Sequence, residues 1–227
     1  MLKRKKDTCF VIPAFNEENK ISEIIEELKK IGGVIVVDDC SEDKTSYVSK
    51  KKNVKVIKHV KNYGYDQALL TGFKSANKLS FKYAITIDAD GQHSINDAKK
   101  ILKFLNDGCA MVYGKRKYQQ RIMEKIFSSY TGFFKGIDDP LCGLKGYNIR
   151  ICKTQGFLDK ENNIGTKILF NCKRNNLKTI EVKIITKKRK DKPRFGGTFI
   201  GNLKILKLFA IVIMTDLMNL FLSKKNI

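Results

Sequence analysis

An apolar run that ends in two carboxylates most constrains the fold of this chain. Residues Tyr83 to Ile87 are apolar apart from one threonine, and Asp88 and Asp90 follow them. Continuous apolar runs of this length are typical of strands in a parallel sheet that is covered on both faces. In such α/β sheets, ligands bind just beyond the carboxyl ends of the strands. The run therefore predicts a buried parallel strand that brings Asp88 and Asp90 to a ligand site.

Strand and helix patterns alternate up to this point of the chain. Short apolar runs are predicted strands, and segments with apolar residues at helical spacing are predicted helices. Strands are predicted over 8–13, 34–37, 54–57 and 83–87, and helices over 19–31, 41–51 and 65–79. This order predicts an α/β fold with an open, mostly parallel sheet and helices on both faces.

The pattern is less regular beyond residue 91. A helix is predicted over 95–105 and a strand over 110–113, whereas 141–147 fits either a strand or a loop. Residues 116–136 are amphipathic and contain several aromatic side chains. The remaining predictions are a late strand over 178–186 and a mobile basic loop over 187–197.

The C-terminal residues 203–227 are predicted to form an amphipathic helix that follows a catalytic domain over 1–202. Their cleanest apolar run, Leu208 to Met214, is much shorter than the roughly 20 residues needed to span a bilayer. A helix that lies on an anionic membrane surface fits this pattern. A helix packed on the domain or on a dimer partner fits it equally well.

The charge and the cysteines limit the classes of partner and metal. The 227 residues carry a formal net charge of +22, which attracts nucleic acid, anionic lipid or phosphorylated substrates. The six cysteines form no C-x-x-C pair and only two histidines are present, so a zinc site is not expected. No apolar segment follows the basic residues 1–6, which predicts reduced thiols and a cytoplasmic location.

Two further predicted strands also end in polar side chains. Asn16 and Glu17 follow the first strand, and Asp38 and Asp39 follow the second. Parallel strands bring their carboxyl ends to one edge, where these groups suit a nucleotide and the D-x-D pair suits a divalent cation on its phosphates. Each group also has a simpler interpretation, because all four can cap helices and D-x-D occurs by chance.

Six motifs follow one another along the chain. They are I-P-A-F-N-E at 12–17, V-V-D-D-C-S-E-D-K-T at 36–45, N-Y-G at 62–64, D-A-D-G-Q-H at 88–93, Y-G-K-R at 113–116 and D-P-L-C-G-L-K at 139–145. In this order they resemble the family 2 glycosyltransferases of the GT-A fold, and among them the dolichyl-phosphate mannose synthase and polyprenyl-phosphate glycosyltransferase group. The resemblance covers about residues 9–197. The resemblance implies inverting transfer of a sugar from a UDP- or GDP-linked donor to a polyprenyl phosphate, with Mg2+ or Mn2+.

The resemblance also implies the site residues. The nucleotide-sugar group is Pro13, Asn16, Glu17, Asp38, Asp39, Asp88 and Arg189; the metal ligands are Asp90 and Gln92; the acceptor-phosphate group is Arg116, Arg194 and Lys145; and the catalytic group is Asp88, Asp90, Arg116 and Asp139. Arg189 and Arg194 lie in the basic loop, which is expected to close over the site. Asp139 has the alternative role of holding Arg116 through charge-assisted hydrogen bonds. We expect His93 to support the metal-binding turn and Tyr63 and Tyr65 to pack beside theirs.

The chain departs from family members that glycosylate a sugar hydroxyl. Many of those enzymes carry an Asp or Glu general base after the acceptor loop, whereas residues 162–169 contain no acid. A phosphate oxygen is already ionised at neutral pH and needs no base, so the departure favours a lipid phosphate acceptor. Asp159 and Glu161 lie nearby, and their replacement by Asn and Gln should cost little activity. A family 2 enzyme that acts on a saccharide hydroxyl in cell-surface glycan synthesis is the alternative.

A scaffold that binds nucleic acid or membrane through its basic surface is a non-enzymatic hypothesis. It does not account for the carboxylates at three strand ends, which repel phosphate unless a cation intervenes. The sequence therefore predicts a glycosyltransferase, peripheral on the cytoplasmic face of a membrane and without a nucleic-acid partner.

Overall fold

A seven-stranded mixed sheet is the framework of the residues that this computed structural model describes, which are 7–119, 121–156, 164–186 and 198–224. The strands are β1 (Thr8–Ala14), β2 (Gly33–Asp38), β3 (Lys55–Lys58), β4 (Tyr83–Thr86), β5 (Met111–Arg116), β6 (Lys145–Asn148) and β7 (Thr179–Ile184). The helices are α1 (Ile21–Lys29), α2 (Thr45–Lys50), α3 (Tyr65–Lys78), α4 (Ile95–Asn106), α5 (Ile122–Lys135), α6 (Ile149–Thr154), α7 (Ile164–Arg174) and α8 (Thr198–Lys224).

The strand order is β3-β2-β1-β4-β6-β5-β7, and β6 is antiparallel to both of its neighbours. All other pairs are parallel. Lys145, the first residue of β6, pairs with Thr86 of β4 and with Tyr113 of β5. The start of β6 therefore lies at the edge where β4 and β5 end.

Helices cover both faces of the sheet because alternate strand residues point to opposite sides. Phe10, Ile12 and Val36 belong to the same buried cluster as the apolar residues of α1 and α4. Val11 points the other way, and its Cγ1 lies 2.2 Å from where a Cβ on Gly72 of α3 would stand. This layered, mostly parallel arrangement confirms the predicted α/β fold class.

The structure differs from the predicted elements mainly in the second half and after β2. Residues 41–44 are not helical, and α2 begins only at Thr45. The Glu42 and Lys44 N–H groups donate instead to side chains of the loop after β1. The segment 141–147 contains a loop and then the start of β6. Helices α6 and α7 were not predicted from periodicity, and the predicted basic loop 187–197 lies outside the described residues.

The described residues fall into two compact units. One contains 7–117 and 139–186, with the whole sheet, and the other contains 118–138 and 198–224, with α5 and α8. Most of the helix predicted over 203–227 lies within α8, which begins five residues earlier, at Thr198, and ends at Lys224. None of the described helices is both long enough and apolar enough to cross a bilayer.

Candidate active site

Polar residues from several elements meet at the edge where β1, β2 and β4 end. Asn16 and Glu17 follow β1, Asp38 ends β2, and Asp88 follows β4 within two residues. These three strands are parallel neighbours in the sheet, so their carboxyl ends lie side by side. The sequence prediction of a shared edge for these residues agrees with this arrangement.

The loops after β1 and β2 are joined by reciprocal hydrogen bonds. The Asn16 backbone N–H donates to Ser41 Oγ at 2.9 Å, and Asn16 Oδ1 accepts from the Glu42 N–H at 2.9 Å. The Glu17 N–H donates to Thr45 Oγ1 at 2.7 Å, and the Glu17 side chain is buried. Asn16 has a φ of 56°, a left-handed conformation that asparagine tolerates better than most residues. The two loops are therefore preorganised as one unit.

The paired aspartates after β2 both hold backbone. Asp39 Oδ1 accepts from the Tyr63 N–H at 2.9 Å, and Asp39 Oδ2 accepts from the Gly64 N–H at 2.7 Å. Asp38 Oδ1 accepts from the Ser41 N–H at 2.8 Å, so it stabilises the turn after β2 and does not cap α2, which begins at Thr45. Both carboxylates are buried, so they shape the loops of the site. Nucleotide contact by either residue stays a prediction.

His59 is a site residue that the sequence analysis missed. Its Nδ1 lies 2.7 Å from Asp39 Oδ1, and its Nε2 lies 3.0 Å from Thr71 Oγ1 of α3. The His59 ring therefore connects the end of β2, the loop after β3 and helix α3. Its position directly after β3, at the same sheet edge, was a signal that could have identified it.

Asp88 is held by contacts from three parts of the chain. The Tyr65 hydroxyl donates to Asp88 Oδ1 at 3.0 Å, and His93 Nε2 lies 3.5 Å from Asp88 Oδ2. Removal from water raises the pKa of Asp88, but His93, Tyr65 and Arg116 together outweigh this effect and hold the pKa below its usual value. The predicted packing role of Tyr65 is therefore incomplete, because its hydroxyl also orients this carboxylate.

Gly143 is the reason that Asp88 fits where it does. A Cβ built on Gly143 would lie 2.2 Å from Asp88 Oδ2, far inside van der Waals contact. The Gly143 carbonyl also accepts a hydrogen bond from Thr86 Oγ1 at 2.7 Å, which ties the D-P-L-C-G-L-K segment to the end of β4. Only a glycine leaves space for the carboxylate at this position.

Arg116 and Asp139 form a bidentate ion pair. Arg116 Nε donates to Asp139 Oδ2 at 2.8 Å, and an Arg116 Nη2 hydrogen donates to Asp139 Oδ1 at 2.9 Å. The Arg116 backbone N–H also donates to Asp139 Oδ2, at 3.0 Å. Asp139 is fully buried, so its carboxylate orients the guanidinium. This geometry bears out the alternative role given to Asp139, whereas a catalytic role for either residue stays a prediction.

Lys145 brings a buried ammonium to the same edge. Its Nζ donates to the Pro140 carbonyl at 2.8 Å, and Thr166 Oγ1 of α7 donates to the same oxygen at 3.0 Å. Burial lowers the pKa of Lys145 and nearby Arg116 lowers it further, while the acids Asp139 and Asp88 act in the opposite direction. Because Lys145 pairs with Thr86 of β4 and Tyr113 of β5, it lies between the strands that lead to Asp88 and Arg116.

Asp90 and Gln92 lie on the turn that follows β4. The Gln92 N–H donates to Asp90 Oδ1 at 3.0 Å, and Gly91 between them has a φ of 74°. Within the described ranges no three side chains of His, Cys, Asp or Glu are grouped as a metal site. The carboxylates of Asp88 and Asp90 and the side-chain amide of Gln92 nevertheless suit Mg2+ or Mn2+. These ions take hard oxygen ligands and complete their shell with substrate phosphate and water. The residues present therefore fit such an ion.

The structure gives no side-chain contact at the site for the three remaining predicted residues, Pro13, Arg189 and Arg194. Pro13 is buried within β1, opposite Val37 of β2. Arg189 and Arg194 lie outside the described residues.

The profile of the family described as "Glycosyl transferase family 2" matches residues 9–173. The chain belongs to glycosyltransferase family 2. The match contains the site residues from Pro13 to Thr166 but not Arg189 and Arg194, and it confirms the family predicted from the six motifs.

Individual relatives agree with this assignment of a family 2 glycosyltransferase. The uncharacterized protein MJ1222 of Methanocaldococcus jannaschii is 35% identical over 221 residues, which cover 88% of this chain and 90% of the relative. A UDP-N-acetylglucosamine–dolichyl-phosphate N-acetylglucosaminyltransferase of Methanococcus voltae is 34% identical over 126 residues, which cover 47% of this chain and 50% of that enzyme. The aligned part thus spans about half the length of the Methanococcus voltae enzyme.

The fold of this family 2 glycosyltransferase is also found among solved structures. Glucosyl-3-phosphoglycerate synthase from Mycobacterium tuberculosis, in complex with Mn2+, UDP and phosphoglyceric acid, matches 84% of this chain and 72% of its own with a TM-score of 0.65. At 16% sequence identity the likeness concerns the fold alone. It confirms the predicted GT-A architecture.

Proposed function

We propose that this family 2 glycosyltransferase moves a sugar from a UDP- or GDP-linked donor to a polyprenyl phosphate, on the cytoplasmic face of a membrane. The observation that carries the proposal is the grouping of the oriented Asp88 carboxylate with the buried Lys145 ammonium and the half-buried Arg116 guanidinium at the carboxyl edge of the sheet. Cations at this edge suit a reaction in which both donor and acceptor bring phosphate groups.

The donor would bind along the ends of β1, β2 and β4. In this proposal Pro13, Glu17 and Asp39 contact the nucleoside, and Asp88 faces the ribose or the sugar. Asp90 and Gln92 would hold Mg2+ or Mn2+, which when bound neutralises charge on the nucleoside diphosphate as it leaves. The Mn2+ and UDP in the Mycobacterium tuberculosis structure support this part of the proposal by likeness of fold.

The acceptor would bind beside Lys145 and Arg116. Helix α7 contacts the segment 139–145 through the hydrogen bond from Thr166 Oγ1 to the Pro140 carbonyl. The sequence of α7, from Ile164 to Arg174, contains no carboxylate. A hydroxyl acceptor needs a base to take its proton, whereas an ionised phosphate does not. The phosphate oxygen would form a bond to the anomeric carbon as the bond from that carbon to the nucleoside diphosphate breaks, with inversion. The name of the Methanococcus voltae relative supports a lipid phosphate acceptor.

The test is sugar transfer by purified protein. Labelled UDP- and GDP-sugars are offered with and without polyprenyl phosphate, in Mn2+ or in EDTA, and label is counted in the organic phase. We expect label in that phase only when lipid phosphate and metal are both present, and none with Asp90→Asn. Transfer to added saccharides without the lipid would instead identify a hydroxyl acceptor, and no turnover of any donor would contradict the proposal.

A further inference from the structure

A cavity of about 380 Å³ lies at the starts of β2 and β3, at the opposite edge of the sheet from the candidate active site. Strand β2 runs for six residues from Gly33 to Asp38. At the usual rise per residue, its two ends are about 17 Å apart. Asp38 lies at the active-site edge, so a ligand in the cavity does not reach the groups described there. The volume falls within the roughly 300–1,000 Å³ that is typical of small-molecule sites.

The register of the edge strand explains why the cavity is open. The first pair between β2 and β3 joins Ile35 to Lys55, so the pairing of these two strands does not include Gly33 and Val34. The chain reaches β3 through Asn53, which has a left-handed φ of 52°. Strand β3 therefore leaves the edge of β2 uncovered beside its first two residues.

The walls of the cavity are apolar. Val34 and Val54 line it from the side of the sheet, and Leu79 and Phe81 line it from the segment that joins α3 to β4. A Cβ on Gly33 would lie 2.7 Å from Phe81 Cζ, so the missing side chain lets the ring lie against the strand. Leu79 is 38% exposed. An apolar ligand would cover surface that the fold leaves in contact with water, which is favourable.

The charged groups at the cavity are lysines. Lys29 of α1 and Lys55 of β3 both line it, and none of its ten lining residues is acidic. Lys29 Nζ donates to the Lys52 carbonyl at 2.7 Å, which holds this ammonium beside the loop that precedes β3. The Glu26 carboxylate of α1 pairs with Lys52, at 3.4 Å. The cavity thus combines two ammonium groups with a lining that contains no carboxylate.

These two features select the chemical class of the ligand. Apolar walls favour an apolar body, and two ammonium groups favour an anionic group attached to it. A cationic ligand would be repelled by the lysines. A second copy of this chain, with its formal net charge of +22, would also bring like charge to them. A small amphipathic anion is complementary to both the walls and the charges.

We propose that this cavity binds a small apolar molecule that carries a carboxylate, sulfonate or phosphate group. The apolar walls bind the body of the molecule, and Lys29 and Lys55 bind its anionic group. The site lies at the other edge of the sheet from the groups assigned to sugar transfer. The inference therefore goes beyond the proposed function and does not rest on it.

Isothermal titration calorimetry of the full chain with 8-anilinonaphthalene-1-sulfonate, an aromatic sulfonate, tests the cavity. We expect saturable binding that UDP with Mn2+ does not displace. Lys55→Glu should weaken binding about tenfold, because a hydrogen bond to a charged group is replaced by repulsion. Leu79→Ser should weaken it about fivefold through the loss of apolar contact. Decanoate and 1-naphthoate are then added as competitors, and the stronger one shows whether the cavity prefers an aliphatic or an aromatic body.

Two variants outside the cavity are the controls. Lys51→Glu makes the same change of charge at the exposed C-cap of α2, which does not line the cavity. Phe133→Ser removes an apolar side chain that is 85% exposed on α5. Both should bind the sulfonate as the unchanged protein does.

Three results would overturn the proposal. The first is the absence of saturable binding, or binding that neither competitor displaces. The second is an equal loss in Lys51→Glu and Lys55→Glu, because binding would then follow the net charge alone. The third is a loss in Phe133→Ser or displacement by UDP, since the sulfonate would then bind elsewhere. Because no sugar donor or acceptor is present, none of these results depends on the outcome of the sugar-transfer assay.

Discussion

Asp88 and Asp139 lie at the same edge of the sheet, and their neighbours give them different roles. Asp139 is fully buried and accepts three hydrogen bonds from Arg116, so it acts through the guanidinium that it orients. The side chain of Asp88 is 31% exposed and is oriented by Tyr65 and His93. At the scale of single residues, exposure therefore separates the carboxylate that can meet a ligand from the one that supports the site.

Removal of the Asp139 carboxylate should be costly for stability. Asp139→Ala leaves the Arg116 guanidinium, which is 14% exposed, without its bidentate partner. Breaking a buried ion pair by removing one side typically costs about 3–5 kcal/mol. Urea unfolding followed by circular dichroism measures the change, with Asp107→Ala as the control because Asp107 is exposed at the end of α4. An Asp139→Ala protein as stable as the control would contradict the buried ion pair.

Gly143→Ala should lower the kcat of sugar transfer, beyond any effect that its loss of stability explains. Its Cβ would collide with Asp88 Oδ2, and the carboxylate would have to move. A displacement of about 1 Å in a catalytic group can cost about a hundredfold in rate. Gly72→Ala is the matched control, because its Cβ would approach Val11 Cγ1 equally closely, at 2.2 Å, but within the core. We expect both variants to lose about 1–3 kcal/mol of stability and only Gly143→Ala to lose kcat.

At the scale of elements, the ends of β1, β2 and β3 act as one preorganised loop system. Side chains of one loop bind the backbone of the next, as Ser41 does for Asn16 and Asp39 does for Tyr63. His59 completes this system by contacting both Asp39 and Thr71 of α3. The geometry of the part of the site that we propose to bind the nucleotide therefore depends on connections between elements and not on any single loop.

His59→Ala should loosen this loop system. The variant removes two hydrogen bonds and leaves the buried Asp39 with fewer partners, which costs about 1–3 kcal/mol. We expect KM for the sugar donor to rise with a smaller change in kcat, because the loops contribute to binding before and during the reaction. Thr71→Val keeps the Asp39 contact and should show a weaker form of the same effect. If KM stays unchanged in both variants, the loop system does not contact the donor.

At the scale of the whole molecule, burial in the core determines which thiols react. All six cysteines are free; five are buried and Cys40 is partly exposed. Burial raises the pKa of Cys9, Cys142 and Cys172 to about 12. These thiols remain protonated at pH 8, and only thiolates react quickly.

One fast thiol is therefore expected in a titration of the folded protein with Ellman's reagent at pH 8. Cys40→Ser should remove that fast phase, and the other five thiols should react after addition of urea. Two or more fast thiols in the folded protein would contradict the burial of the cysteines.

The same thiols should make the stability depend on pH in the alkaline range. Because the folded-state pKa values of the buried thiols lie above their ordinary value near 9, the native state holds more protons than the unfolded state between pH 9 and about 12. The free energy of unfolding, measured in urea, should thus fall as the pH rises through this range.

The sequence by itself determined the order of the first strands and helices, the sheet edge that carries Asp88, and the family. These features are local, because periodicity and motifs extend over a few to about fifteen residues and are readable from neighbouring positions. The carboxyl ends of β1, β2 and β4 then follow from the parallel order of the sheet.

Only the tertiary structure decided the antiparallel insertion of β6, the contact of Gly143 with Asp88 and the role of His59. Each depends on residues that are distant in the chain: Thr86 and Gly143 are 57 residues apart, and Asp39 and His59 are 20 residues apart. Local pattern carries no information about such pairs. They are selected when the whole chain packs and every buried polar group must find a partner.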